Sequence, residues 1–143
     1  MARVVVVATD DVRIPVAVAR VESAAALVLR AEGVSSAMVS VTFVTARRMA
    51  ALNWTHLRHR GPTDVISFGF EGTPVTGDIY IAPSVARENA LEHGAGIREE
   101  LLRLTIHGVL HILGHDHPTD GTRLSSPMWK RQEQLLERVM QSA

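Results

Sequence analysis

The chain has 143 residues, with 15 basic and 15 acidic side chains and no cysteine. This length suits one domain with a sizeable core, so we expect residues 1–143 to form a single domain. The missing cysteines exclude disulfides and thiolate metal ligands, and the balanced charge gives no support for nucleic-acid binding. No apolar run is long enough to cross a bilayer and no secretory signal is recognisable, so we expect no membrane association and a cytoplasmic location.

Apolar periodicity predicts strands and helices along the whole chain. The predicted strands span residues 3–8, 37–44, 63–70 and 77–81. The predicted helices span residues 14–33, 46–53, 83–93, 97–113 and 127–140. Residues 54–62 are expected to form a polar, basic loop. Because strands come mostly first and helices last, the predicted fold class is α+β, a small mixed sheet of about four strands covered by about five helices.

Histidines are concentrated at the end of the fourth predicted helix, where four of the seven fall within residues 107–117. His107 and His111 are one helical turn apart, so both imidazoles can offer a nitrogen to one ion. Gly114 can adopt the positive φ that ends a helix and can bring His117 back towards them. Three neutral nitrogen ligands with a position left for water are typical of catalytic zinc. The pattern therefore predicts one Zn²⁺ on His107, His111 and His117.

Alternatives to this site remain open from the spacing alone. His115 and Asp116 are rival third ligands, of which His115 is the stronger, and histidines that merely pack or face solvent would form no site. Zinc proteases of the H-E-x-x-H type carry their general-base Glu directly after the first His. That position is Gly108 here. The metal-binding spacing is thus similar to that of metzincins, but we expect hydrolysis of something other than a peptide.

A second pattern concerns charge. The span 33–63 contains no Asp or Glu but four arginines and two histidines. Such a span can form a basic surface that binds phosphates. The alternative is a chance gap in acidic residues around a buried strand.

Five sequence blocks follow one another along the chain or flank its histidines: Leu52-Asn53, P-T-D-V-I-S-F at 62–68, G-D-I-Y-I at 77–81, H-G-x-L-H-x-x-G-x-D-H at 107–117 and residues 128–133. Together they resemble the YbeY family, the metal-dependent endoribonucleases of rRNA maturation. The resemblance covers most of the chain, with the blocks in the family's order. It implies a zinc-hydrolase-like, single-domain cytoplasmic endoribonuclease with one zinc ion. It also implies RNA of the small ribosomal subunit as substrate, in 16S rRNA 3′-end maturation and ribosome quality control.

The sequence departs from the family pattern at two positions. The family commonly has Tyr or a similar residue where His115 stands, so His115 could perturb or supplement the metal site. Many members also have an RNA-contacting Arg shortly after the Leu-Asn pair, and alignment places that residue near Leu57. Arg58 and Arg60, beside it, are therefore the candidate RNA phosphate contacts.

The implied mechanism combines a metal-activated water with cationic phosphate contacts. Zinc on three histidines lowers the pKa of its water towards ~7 and stabilises charge on a phosphate oxygen. Asp116 is predicted to orient an imidazole, with a simple turn residue as the alternative. Asp64 and Asp78 fit turns better than a catalytic role, and the general base is unassigned.

Two other functions compete with a nuclease. One is a zinc hydrolase or protease acting on another substrate. The other is a ribosome-associated factor whose zinc is structural, which would follow if His115 completed a four-ligand shell.

Overall fold

The computed structural model of the protein describes residues 3–116, 122 and 125–142. Within these ranges the chain forms four strands and five helices. Their order is β1 (Val4–Asp10), α1 (Val18–Ala31), β2 (Ala37–Phe43), α2 (Ala46–Leu57), β3 (Val65–Phe70), β4 (Val75–Ile81), α3 (Pro83–Glu92), α4 (Ile97–Ile112) and α5 (Pro127–Gln141). The predicted α+β class is confirmed. None of the described helices has the length and apolar character needed to span a membrane.

The strands form one mixed sheet in the order β1-β2-β4-β3. β1, β2 and β4 are parallel, whereas β3 pairs antiparallel with β4 through a tight connection and forms one edge. Alternate residues of β2 are buried on the face that α1 and α4 cover, and Met38, on the other face, is 60% exposed. This alternation is what a sheet with one helix-covered face requires.

Helix α4 lies at the centre of the fold, packed on β3 and β4 and flanked by α1, α3 and α5. A Cβ added at Gly108 would lie 2.8 Å from a side-chain carbon of Ile79, so only glycine permits this approach of helix to sheet. All residues of α4 from Leu104 to Leu110 are buried. The helix that carries the histidine pair is therefore held firmly by the core.

Most predicted boundaries differ from the structure by one or two residues, but two helix boundaries were wrong by a full turn. Helix α1 begins at Val18 rather than at residue 14: the residue before Pro15 is disfavoured in helical conformation, and Ala17 is still extended and caps the helix. Helix α2 continues to Leu57 rather than ending at residue 53. Its last turn is held on the sheet by a ring contact between His56 and Phe68, with centroids 4.9 Å apart. Residues 54–57, which were expected to belong to a loop, are thus helical.

Candidate metal centre

His107 and His111 lie on one face of α4, as their spacing predicted. Their ring centroids are 6.0 Å apart, with the ring planes inclined by 78°. One ion between the rings could bridge this separation, because a Zn–N bond extends about 2 Å beyond each ring nitrogen. His107 is buried, whereas His111 is exposed. The pair therefore has one ligand candidate anchored in the core and one at the surface of a cleft.

The ring of His107 is oriented by Gln132 of α5. Nδ1 of His107 lies 2.8 Å from Oε1 of Gln132, and the glutamine is only 1% exposed. On its other side, Nε2 of Gln132 donates to Oε2 of Glu133 at 3.1 Å. Reversing the amide would turn its oxygen towards the carboxylate, so Oε1 must accept from Nδ1–H of His107. This tautomer places the electron pair on Nε2, the form that a metal-ligating imidazole needs.

An arginine holds the far end of this network. Arg103 donates from Nε and Nη2 to the two carboxylate oxygens of Glu133, at 3.0 and 3.1 Å, and from Nη1 to Glu100 at 2.7 Å. Burial alone would lower the pKa of Arg103, but its hydrogen bonds to Glu133 and Glu100 outweigh that effect and raise it. Arg103 is therefore permanently charged, and it keeps the Glu133 carboxylate in position to receive Gln132.

The end of α4 follows the predicted turn. Gly114 has φ +97°, and the N–H of His115 donates to the carbonyl oxygen of Leu110 at 3.0 Å. This is the helix-ending pattern in which glycine at the positive-φ position reverses the chain. His117 lies outside the described residues, so its predicted role as third ligand stays a prediction. Among the described residues, no three His, Asp or Glu side chains converge on one point.

The two rivals of His117 differ in their surroundings. Nε2 of His115 lies 2.8 Å from Oε1 of Glu32, at the end of α1, and Arg131 contacts the other oxygen of the same carboxylate. The ring of His115 is therefore directed at a carboxylate of another helix. Asp116 is exposed, and its predicted role in orienting an imidazole stays a prediction.

A cleft of about 740 Å³ opens in front of the histidine pair. Its wall includes both histidines, residues of edge strand β3 and the segment after α2. Arg60 lines this cleft, whereas Arg58 does not. The structure thus brings one of the two predicted phosphate-binding arginines to the histidine pair.

The segment that carries the arginines is organised by Asn53. Its side-chain Nδ2 donates to the carbonyl oxygen of Gly61 at 2.9 Å, and its main-chain carbonyl oxygen accepts from the N–H of His59 at 3.3 Å. Asn53 is buried, so these bonds exchange little with water. The asparagine therefore closes residues 58–61 into a compact loop at the rim of the cleft.

The two aspartates predicted to fit turns differ from each other, and the turn prediction is wrong for Asp78, which lies within β4. Asp78 accepts a hydrogen bond from Ser40 at 2.7 Å on the sheet, as a structural residue would. Asp64 also has structural contacts, since Nδ2 of Asn89 donates to its Oδ2 at 3.1 Å, but it lines the cleft with His107 and His111 as well. Asp64 therefore lies closer to the candidate chemistry than the sequence interpretation allowed.

Sequence reasoning missed the role of Gln132, although a signal was present. Buried positions of α5 recur at Met128, Leu135, Leu136 and Val139, and Gln132 falls within the same stripe. A polar residue in an apolar stripe needs a buried hydrogen-bond partner. The pattern alone could not reveal that this partner is His107.

The sequence profile of the family Endoribonuclease YbeY matches residues 8–140. The Endoribonuclease YbeY of Bacillus licheniformis is 39% identical over 121 residues, covering 75% of each chain. That of Chlorobaculum parvum is 34% identical over 114 residues and 79% of each chain. That of Thermotoga petrophila is 37% identical over 101 residues, which are 71% of this chain and 67% of the relative.

The fold has a counterpart among solved structures. The solution structure of a Thermotoga maritima protein superposes with a TM-score of 0.67 at 26% identity, covering 94% of this chain and 88% of the other. The resemblance inferred from the histidine motif and the accompanying blocks is confirmed. This chain belongs to the Endoribonuclease YbeY family.

Proposed function

We propose that this protein is a zinc-dependent endoribonuclease that cuts single-stranded RNA, matures the 3′ end of 16S rRNA and acts in ribosome quality control. Membership of the Endoribonuclease YbeY family supports cleavage of RNA. The structural observation that carries the proposal is the cleft in which His107, His111 and Arg60 lie together. It combines metal-ligand chemistry with a cation able to bind phosphate.

The donor set suits one Zn²⁺. His107, His111 and His117 would hold the ion, and the hydrogen bond from His107 to Gln132 already selects the tautomer that a ligand needs. When bound, zinc supplies a water of lowered pKa and a positive charge next to the phosphate. With no cysteine in the chain, imidazole nitrogen is the donor type that favours zinc over magnesium or calcium.

The protein's own residues account for substrate binding. Arg60 offers a guanidinium that can contact two phosphate oxygens at once. Asn53 holds the loop from which Arg60 extends. Gln132 and Arg103 keep the first imidazole from rotating. Together these contacts would position a phosphodiester against the histidine pair without any base-specific contact.

A peptidase is disfavoured by the position of Gly108. In zinc proteases the residue after the first ligand faces the substrate and supplies the general base. Here any side chain at 108 would meet Ile79 of the sheet, so this position faces away from the cleft. The peptidase alternative would need a base from elsewhere in the chain.

The remaining parts of the proposal concern partners and location. RNA of the small ribosomal subunit is the proposed substrate, and the cytoplasm, where ribosomes assemble, is the proposed location. Both rest on the family resemblance alone. The metal-centre geometry is compatible with them but does not depend on them.

The test combines metal analysis with RNA cleavage. Zinc-loaded protein should cut a labelled single-stranded RNA and leave the matched duplex intact, and a precursor 16S fragment should be trimmed at its 3′ end. His111→Ala, which removes an exposed side chain, should lose both zinc and cleavage while the fold persists. Arg47→Ala serves as control, because Arg47 is also exposed but lies at the opposite end of α2. Wild-type protein with a full zinc complement and no RNA cleavage would overturn the proposal.

A further inference from the structure

Trp54 stands out on the surface next to the cleft. It lies in the last turn of α2 and is 45% exposed, although tryptophan is among the residues whose burial stabilises a fold most. The Cζ atoms of two arginines lie close to its ring, at 5.3 Å for Arg58 and 5.6 Å for Arg60. Core packing does not explain this residue, because nearly half of its surface faces solvent.

The backbone at Arg58 also departs from what stability alone would select. Arg58 caps α2 with φ +56°, and among the described non-glycine residues no other has a positive φ. Glycine is the residue that ends helices in this conformation without steric cost. A non-glycine residue in this strained conformation suggests that its side chain has a function. Its guanidinium is held beside Trp54.

The charges of both arginines are available to a ligand. The span 33–63 has no acidic residue, and within the described part of the chain neither guanidinium forms an ion pair with a carboxylate. The attraction between each cation and the face of the indole orients the side chains without neutralising them. Both guanidinium groups lie over the ring, so the cluster presents two positive charges together with the part of the indole that they leave exposed.

This cluster adjoins the histidine pair through Arg60. The same side chain that lies 5.6 Å from the Trp54 ring also lines the cleft of His107 and His111. Leu57, in the same helical turn as Trp54, lines that cleft too and is 46% exposed. A ligand that reaches from the histidines across Arg60 therefore meets the indole.

We propose that Trp54, Arg58 and Arg60 form a stacking platform that binds one unpaired nucleobase of RNA next to the scissile phosphate. The proposal rests on the endoribonuclease function and specifies how that site selects its substrate. Single strands combine charged phosphates with exposed flat bases, and proteins bind them with cations and aromatic rings together. A base paired in a duplex is stacked between its neighbours and cannot lie on the ring. The platform would thus make the enzyme prefer single strands.

The chain offers a direct optical test because it has two tryptophans, Trp54 and Trp129. Trp129 lines a separate pocket that also reaches His107, so it is a matched internal control. In Trp129→Phe the one remaining tryptophan is Trp54, and a short 2′-O-methyl RNA, checked to be intact after the measurement, should quench tryptophan emission on binding. In Trp54→Phe the same RNA should leave the emission of Trp129 unchanged. When single bases are removed from the oligomer one position at a time, quenching of Trp54 should weaken at the position whose base stacks on the ring.

Affinity measurements separate stacking from charge. Trp54→Ala should weaken binding of the 2′-O-methyl RNA roughly tenfold, with the salt dependence of binding unchanged, because no phosphate contact is lost. Trp54→Phe should restore most of that loss, since a smaller ring still stacks. Equal affinity of wild type and Trp54→Ala would overturn the platform. Quenching of Trp129 instead of Trp54 would overturn it too, by placing the base in the other pocket.

Failure of this proposal is distinguishable from failure of the nuclease function. If the wild type cleaves single-stranded RNA but Trp54 is not quenched, the platform is contradicted and the nuclease function stands. If RNA quenches Trp54 but is never cleaved, the platform stands and the nuclease function is contradicted. Wild-type protein that binds no RNA at all, at any salt concentration, overturns the platform outright.

Discussion

Nδ1 of His107 lies 2.8 Å from Oε1 of Gln132, and both side chains are buried. The two residues are 25 positions apart, so the bond joins α4 to α5 directly at the candidate metal centre. Behind Gln132 stand Glu133 and the charged Arg103. The orientation of the imidazole is thus set by a chain of hydrogen bonds that starts at a permanent positive charge.

The first prediction concerns this bond. Gln132→Leu keeps the side chain similar in size but leaves Nδ1 of His107 without its acceptor, so the ring can rotate and change tautomer. We expect zinc affinity to fall by about 10- to 100-fold, the usual cost of losing a residue that orients a metal ligand. Competition with a chromophoric chelator measures this. Gln134→Leu is the control, because Gln134 is exposed on the same helix. Equal zinc affinities of the two variants would contradict the orienting role.

Much of this architecture could be predicted from the sequence because it depends on local spacing. The i, i+4 pair of histidines and the turn at Gly114 follow from residue order, and both are found. The role of Gln132 could not be predicted, because it depends on how α5 packs on α4. The extra turn of α2 was missed for the same reason, since contact with Phe68 decides it.

The sequence likewise could not show in which direction a side chain at position 108 would point. The absence of Glu there suggested only that a catalytic group was missing. The structure shows that Gly108 is required for packing, since a Cβ would lie 2.8 Å from Ile79. Glu could be missing from position 108 because no general base is needed there or because no side chain fits. The neighbouring strand decides between these explanations, and residue order does not specify where that strand lies.

The second prediction tests that packing. Gly108→Ala would normally stabilise a helix by about 1 kcal/mol, but here we expect destabilisation of about 1–3 kcal/mol from overpacking against Ile79. Urea denaturation measures the free energy of unfolding. Adding Ile79→Val removes a methyl group from the contact and should recover part of the loss. If Gly108→Ala is as stable as wild type, or Ile79→Val gives no recovery, the proposed close contact is incorrect.

The third prediction concerns the arginines as phosphate contacts. Replacing Arg58 and Arg60 together by Ala should weaken RNA binding and flatten its salt dependence. Each lost contact should reduce the slope of log K against log salt concentration by about 0.7 for a single strand. The matched control replaces Arg47 and Arg48, which are exposed in the same acid-free span but at the start of α2. Unchanged affinity and slope in the first variant would mean that this loop faces away from the RNA.

The last prediction decides between an open zinc site and a closed structural one, and it concerns His115. A closed site would need a fourth protein ligand, and His115 is the stronger of the two nearby candidates, His115 and Asp116. Yet its Nε2 is 2.8 Å from the carboxylate of Glu32, which also accepts from Arg131. To bind the metal through this nitrogen, His115 would have to give up that contact. We therefore expect His115→Tyr to keep full zinc content and RNA cleavage, with a loss of stability near 1 kcal/mol from the hydrogen bond removed.

The measurement is zinc stoichiometry together with the rate of single-stranded RNA cleavage, compared between His115→Tyr and His117→Ala. The second variant should lose both properties, because His117 is the proposed third ligand. Glu32→Gln separates the two roles of His115: it weakens the contact on the α1 side without touching the metal side, so zinc content should stay constant. If the native protein binds zinc fully but is inert, and His115→Tyr gains activity, then His115 occupies the position that a reactive water needs. The zinc would then be structural, and the protein would act on RNA only indirectly.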